Sequence, residues 1–298
     1  MEIHQLRYFI AIVDTGTFTR AAEKCHVAQP SLSQQIIKLE DELGQKLFHR
    51  LGRRVELTGA GEFFVGKARG ILLEIENTQH ELDDAVEEGA GKVSIGAIPT
   101  VAPYLLPQIL LECQVRYPDL KIEVREDFHS DIAAAVIEGE VDVAIVSNLS
   151  EDERLVHEPL LSEPLVLVLP SGHWLSKKEK VYIDDLQDES FILLGEASSL
   201  ASKVRRFFGD NNFEPTIVAR CSQMKTVKSL VASGLGISII PRMTVESGDE
   251  GFLVFRSLSD VHLVRDLVMI RDQRRYLNRS VKQFMDLLLK KCQNLESF

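Results

Sequence analysis

Five side chains within ten residues, Gln29, Ser31, Ser33, Gln34 and Lys38, have the chemistry of nucleic-acid recognition. The amides and hydroxyls can donate to and accept from base edges, and the lysine can reach a phosphate. Between them Leu32, Ile36, Leu39 and Leu43 recur at helical spacing. Pro30 stands where a helix begins, where its missing N–H costs nothing, and Gly44 is placed to end the run. One face of this helix is therefore apolar and the other polar, as a helix lying in a major groove requires. A solvated surface helix has the same outer face, so the flanking elements must decide.

Upstream, Leu6, Phe9, Ile10 and Val13 mark a first helix, and Phe18, Ala21 and Ala22 a second with a small apolar face. Cys25, His26 and Val27 turn the chain into the polar helix. Downstream, Leu47-Phe48-His49-Arg50 and Arg53-Arg54-Val55-Glu56-Leu57-Thr58 form a short hairpin, or wing, with Gly52 at its turn. This is a winged helix-turn-helix. Its expected DNA contacts are Gln29, Pro30, Ser31, Ser33, Gln34, Lys38, Arg50 and Arg53, with Lys38, Arg50 and Arg53 on phosphates.

The run LRYFIAIVDTGTFTRAAEKCHVAQPSLSQQIIKLEDELGQKLFHR, followed by LTGAG, resembles the N-terminal domain of LysR-type transcriptional regulators over about the first sixty residues. That resemblance implies double-stranded promoter or operator DNA as partner, a dimerising linker helix, a two-lobed effector domain of the periplasmic-binding-protein type, a homotetramer, and a possible contact with RNA polymerase.

The net charge of −11 argues at first against DNA binding. Residues 1–60, however, hold eight Lys or Arg and seven Asp or Glu, a net +1, so the rest of the chain carries −12. A near-neutral head can dock on phosphates while the acidic body stays away, and so weakly basic a head needs several copies on one DNA. The 298 residues suffice for two or three cores. The four cysteines, Cys25, Cys113, Cys221 and Cys292, lack metal or CxxC spacing, and no run reaches the length of a membrane span. With no signal peptide, a cytoplasmic protein without metal or cofactor is expected.

Thr58 is placed to cap a long helix, with Gly61 a weak spot inside it. Phe64, Ala68, Ile71, Ile75, Thr78, Leu82 and Ala85 step along it as a heptad seam. Packing on its own domain would produce such a stripe. The polar outer face and the position between domains favour a dimerising linker. The expected domains are thus 1–58 (DNA binding), 59–88 (linker) and 89–298 (effector), with Glu87 to Gly91 as hinge.

Beyond the hinge, strands at Val93–Ile98, Ile122–Arg125, Val141–Val146, Pro164–Pro170, Phe191–Leu194, Ile217–Ala219, Ile237–Ile240 and Arg265–Arg271 alternate with helices at Tyr104–Tyr117, Ile132–Glu138, Leu200–Phe208, Thr226–Ala232 and Val281–Cys292. Alternation predicts parallel α/β sheets with covered faces. The resemblance divides them into lobe I, 92–162 plus 265–298, and lobe II, 163–264.

In open α/β sheets ligands sit beyond the carboxyl ends of strands, against helix N-termini. That rule selects Thr100, His129, Ser147-Asn148, Ser198-Ser199 and Ser222. The expected effector residues are Thr100, His129, Ser147, Ser198, Ser199 and Ser222, facing a small polar or anionic molecule. Each alone could be only a helix cap.

With IGAIPTVAPYLLP added, the chain looks most like the peroxide-sensing OxyR-type branch. Where that branch has a reactive cysteine, a preceding histidine and a second cysteine nine residues on, this chain has Ser199, Ser198 and Phe208. A serine cannot follow the thiolate oxidation ladder. Two readings stay open: a scaffold that senses without peroxide chemistry, or a hydrogen-peroxide sensor whose reactive cysteine is replaced by Ser199. An enzyme is not expected, because no phosphate loop, GxSxG elbow, HExxH or Rossmann glycine fingerprint is present. A stand-alone solute-binding protein would lack the helix-turn-helix.

Overall fold

The computed structural model describes residues 1–51, 54–85, 91–147 and 149–296, without the side chains of residues 50, 51, 54, 83, 295 and 296. Gly52 and Arg53, the span 86–90 and Asn148, all named above, lie outside the described residues. The chain divides into two compact units, Met1–Glu87 and Glu88–Phe298.

The first unit holds α1 (Ile3–Thr15), α2 (Phe18–Lys24), α3 (Gln29–Leu43), an antiparallel hairpin of β1 (Phe48–Leu51) and β2 (Arg54–Leu57), and α4 (Gly59–Ala85). Its core is built from the apolar stripes of the helices: Leu6, Phe9 and Ile12 of α1, and Leu32, Ile36 and Leu39 of α3, all buried. Phe9 joins them to the hairpin and to α4 through ring contacts with Phe48 (5.2 Å) and Phe64 (5.1 Å). Thr58 caps α4 by accepting from the Gly61 N–H at 3.0 Å.

Gly61 is a point of close packing rather than a weak spot. A Cβ there would overlap the Leu47 carbonyl oxygen, so the start of α4 can approach the wing only without a side chain. The heptad seam divides. Phe64 and Ala68, with Leu72 from outside the seam, pack on the head's own core, whereas Ile71 (37% exposed) and Leu82 (61% exposed) do not.

The second unit runs β3 (Lys92–Ala97), α5 (Ala102–Arg116), β4 (Lys121–Glu126), α6 (His129–Glu138), β5 (Val143–Val146), β6 (Leu155–Pro170), β7 (Ser190–Leu194), α7 (Ser199–Asp210), β8 (Thr216–Cys221), α8 (Met224–Ala232), β9 (Ser238–Pro241), β10 (Leu253–Arg256), β11 (Val264–Asp272) and α9 (Arg279–Glu296). Two separate cores form: one from β3, β5, β11 and helices α5, α6 and α9, the other from the end of β6, β7, β9, α7 and α8.

The sheets are mixed, not parallel throughout. β3 pairs parallel with β4 and β5, and β7 with β8, but β11 runs antiparallel to β5 and β6, and β6 antiparallel to β9 and β10. The chain crosses from one lobe to the other along β6 and returns along β11, and an outward and a return strand side by side must be antiparallel. β6 is 16 residues long and passes through Pro159 and Pro164, which hid its first half in the sequence. Pro159 stands beside a register shift in β11, and Pro164 faces Val264 where β6 leaves that ladder.

At this crossover two charges are buried. Arg265, 1% exposed, donates from Nε to Glu163 Oε1 (2.5 Å), from Nη1 to Thr100 Oγ1 (2.8 Å) and from Nη2 to the Thr100 carbonyl (3.1 Å). Glu163 Oε2 accepts from the Met243 N–H at 3.1 Å. Removing one partner strands the other charge in the interior. Arg265→Ala is expected to cost about 3–5 kcal/mol in urea unfolding followed by circular dichroism, and the double change Glu163→Leu with Arg265→Met much less. Equal losses in the two proteins would show that the cost of Arg265→Ala does not come from a stranded Glu163 charge.

Candidate functional site

In the head, Thr17 caps α2 by accepting from the Arg20 N–H (3.2 Å). His26 adopts a left-handed φ of 55°, which gives the sharp turn into α3, and Gly44 at φ 66° ends that helix. Glu40, buried at 2% exposure, holds the start of the wing. Its Oε1 accepts from the Leu47 N–H (2.9 Å) and its Oε2 from Lys46 Nζ (3.0 Å). Opposite the buried stripe of α3, Gln29, Pro30, Ser31, Gln34 and Lys38 are exposed and Ser33 is half-buried. Six of the expected DNA contacts thus lie on one helix. Arg50 pairs with Val55 in the wing ladder; its side chain, like the whole of Arg53, is outside the described residues. The clamping role of Glu40 was not read from the sequence. Its signal was a glutamate directly after Leu39, at the border of the apolar stripe.

In the second unit, the strand-end rule draws its residues to one place. Thr100, His129, Ser198, Ser199 and Ser222 line a single chamber of about 20 Å³, together with Met224 and neighbouring apolar groups. Ser147 joins them through a hydroxyl–hydroxyl hydrogen bond to Ser199 of 2.7 Å, which links the end of β5 to the start of α7. The chamber receives the N-termini of α6, α7 and α8, through His129, Ser198-Ser199 and Ser222–Met224. Helix dipoles favour negative charge near such N-termini. His129 Nδ1 is enclosed without a hydrogen-bond partner in the structure. Burial, and then the neighbouring His157, push the His129 pKa below its usual value, so the ring is neutral at pH 7.

Thr100 lines the chamber, but its hydroxyl and carbonyl oxygens both accept from Arg265, so it belongs as much to the crossover as to the cavity. Among the described residues no carboxylate or imidazole is hydrogen-bonded to the Ser147–Ser199 pair. Phe208, at the second-cysteine position, is a core ring in contact with Phe191 and Phe213, each at 5.1 Å. Cys221 is buried in the same core, and burial raises its thiol pKa. No disulfide joins any two of the four cysteines.

Beside the chamber lies a larger groove of about 770 Å³ that the sequence did not reveal. On its wall Lys228, 6% exposed, bonds the Thr244 carbonyl (3.0 Å), Glu246 Oε2 (2.7 Å) and Asp249 Oδ2 (2.6 Å). Burial works against this ammonium, but the two carboxylates outweigh it and raise its pKa. Burial also raises the pKa of the Tyr104 hydroxyl.

Comparison with known proteins agrees with this architecture. Residues 3–62 match the bacterial regulatory helix-turn-helix protein, lysR family, and residues 87–293 match the LysR substrate binding domain. The chain is 34% identical to the DNA-binding transcriptional dual regulator OxyR of Escherichia coli K12 over 245 residues, 82% of this chain and 80% of OxyR. It is equally, 34%, identical to the Hca operon transcriptional activator HcaR of the same organism over 261 residues, 87% of this chain and 88% of HcaR. The structure of a full-length OxyR variant from Pseudomonas aeruginosa superposes with a TM-score of 0.74 at 29% identity, covering 98% of this chain and 95% of that one. These relatives are regulators of transcription, not enzymes. The chain belongs to the LysR family, as a DNA-binding transcriptional regulator with a two-lobed, effector-sensing domain.

Proposed function

We propose that a small polar or anionic effector binds in the chamber where α6, α7 and α8 converge, and that its binding changes how the head meets promoter DNA. One observation carries the reading: hydroxyls from both lobes meet there, and Ser147 and Ser199 hydrogen-bond to each other across the cleft. A ligand that takes over either hydroxyl replaces a link between the lobes. It shifts their arrangement to the extent that it binds one arrangement more tightly. The chain is OxyR-like in sequence and in structure, while HcaR is as similar in identity. With Ser199 and Phe208 at the two cysteine positions, signalling by disulfide formation there has no chemistry to use.

The domain assignment of 1–58, 59–88 and 89–298 goes with this reading. Gln29, Ser33 and Gln34 read base edges, Pro30 and Ser31 set the start of the helix against the groove, and Lys38, Arg50 and Arg53 hold phosphates. Two chains pair through the outward residues of α4. Further contacts between lobes, served by the exposed Val115 (84%) of α5 and Val124 (47%) on the edge strand β4, complete a tetramer. RNA polymerase is the partner such a regulator addresses, in the cytoplasm.

Gln34→Ala is expected to lose about 1–3 kcal/mol of specific binding and to relax selectivity at one base pair. Arg53→Ala weakens binding to all sequences and flattens the salt dependence, both measured by titration on operator and random DNA. Equal loss on both DNAs for both variants would remove the role assignment. Aspartates at both Ile71 and Ile75 place charge in the α4 seam and should release monomers in sedimentation; an intact assembly would rule out pairing through α4. Peroxide treatment should leave no mass change at residues 199 or 208, while a panel of small acids alters the operator footprint. A peroxide response abolished by Cys221→Ser alone would move the sensor to that thiol.

A further inference from the structure

Lys228 is a charge on a helix face that otherwise buries apolar groups. Met224, Val227 and Val231 of α8 belong to the core of lobe II, and Lys228 beside them is 6% exposed. A buried ammonium is tolerated only where its N–H donors are met, and a lysine has three. Here each has an acceptor: the Thr244 carbonyl at 3.0 Å, Glu246 Oε2 at 2.7 Å and Asp249 Oδ2 at 2.6 Å. All three acceptors lie in the single stretch 244–249, outside the helix.

That stretch has little core of its own. Thr244 is fully buried, but Val245, Glu246, Ser247 and Gly248 are exposed. Its internal bonds are local, as from the Glu246 N–H to Asp249 Oδ2 (2.9 Å) and from the Asp249 N–H to the Glu246 carbonyl (3.0 Å). The residue before it, Met243, is fixed to the other side: its N–H donates to Glu163 at 3.1 Å and its side chain packs against the core of lobe I. Tyr104 makes the reverse exchange. It stands on α5, whose Leu105 and Leu106 belong to the core of lobe I, yet it packs against the core of lobe II. Tyr104 and Lys228 line the same groove.

These bonds form a closed circuit. Thr100 accepts from Arg265, Arg265 donates to Glu163, Glu163 accepts from Met243, and the next residue, Thr244, accepts from Lys228 of α8. α8 begins at Met224, which lines the chamber with Thr100. We propose that Lys228 is a positioning residue that fastens α8 to the crossover between the lobes, so that a displacement of this helix reaches the Glu163–Arg265 pair through residues 243–249. An apolar side chain at this position would seat α8 in its own core alone. The ammonium makes that seat depend on a segment whose other end is held by lobe I, and coupling of this kind travels through contiguous bonded groups. The relay is a property of the chain and holds whatever enters the chamber.

Hydrogen–deuterium exchange of the full chain, read by mass spectrometry, tests the relay. Lys228→Met keeps the length and removes the donors. Exchange should quicken by about tenfold at Met243 and at Leu165, whose N–H bonds the Leu263 carbonyl beside Glu163. Neither amide touches Lys228. The core amides of Ile98 and Ile192, bonded to the Ile145 and Ile237 carbonyls, should stay within about threefold. Glu246→Ala with Asp249→Ala removes two acceptors and leaves α8 untouched, so it should quicken Leu165 as well. Circular dichroism establishes that each variant is folded, and if Lys228→Met is not, the double variant decides. An unmoved Leu165 in either folded variant would break the relay. Equal quickening at Ile98 and Ile192 would reduce Lys228 to general stabilisation and overturn its positioning role.

Discussion

The buried pair of Glu163 and Arg265 is the constraint around which the regulatory unit is arranged. β6 carries the chain from one lobe to the other and β11 brings it back, and the two charges sit side by side on these strands where the ladder ends. Just beyond, the Leu165 N–H donates to the Leu263 carbonyl at 2.8 Å. A buried ion pair adds little net stability over an apolar pair, but it is demanding about geometry, because each charge must be met by its partner and by further donors or acceptors. Thr100 meets the guanidinium and Met243 meets the carboxylate. The network therefore ties the end of β3, both crossover strands and a turn of lobe II into one arrangement.

That arrangement places the chamber lined by Thr100, His129, Ser198, Ser199 and Ser222 next to the point about which the lobes are joined. Thr100 is common to both: its side chain lines the chamber while its two oxygens hold Arg265. A ligand in contact with the Ser147–Ser199 bridge acts within one residue of the crossover. Under the proposed reading, the lever between binding and lobe arrangement is correspondingly short.

The head follows a different economy. Its core is small, and it is completed by parts that are also functional: Phe48 of the wing and Phe64 of α4 close over Phe9, and Glu40 of the recognition helix fastens the wing through its backbone. Wing and recognition helix thus keep a fixed relation without a large core to hold them. The same packing takes the first half of α4 into the head and leaves Ile71 and Leu82 exposed. A head of net +1 offers few cations for phosphate contacts on its own.

Local features of this protein were legible in the sequence because they depend on residues a few positions apart. The stripe Leu32, Ile36, Leu39, the caps Thr58 and Gly44, the proline opening α3 and the strand–helix alternation all declared themselves in this way, and with them the helix-turn-helix, the family and the residues that gather in the chamber. Even the buried pair left a trace: Glu163 alternates in phase with Leu161 and Leu165, and Arg265 with Leu267 and Met269, all buried. What the tertiary structure alone decided depends on partners far apart in the chain. Strand direction in the mixed sheet, the passage of β6 through two prolines, the division of the α4 seam and the close approach of Gly61 to Leu47 each follow from which surfaces meet. The chamber's volume is set by how the two lobes close on each other, and no periodicity within one element encodes the distance between two.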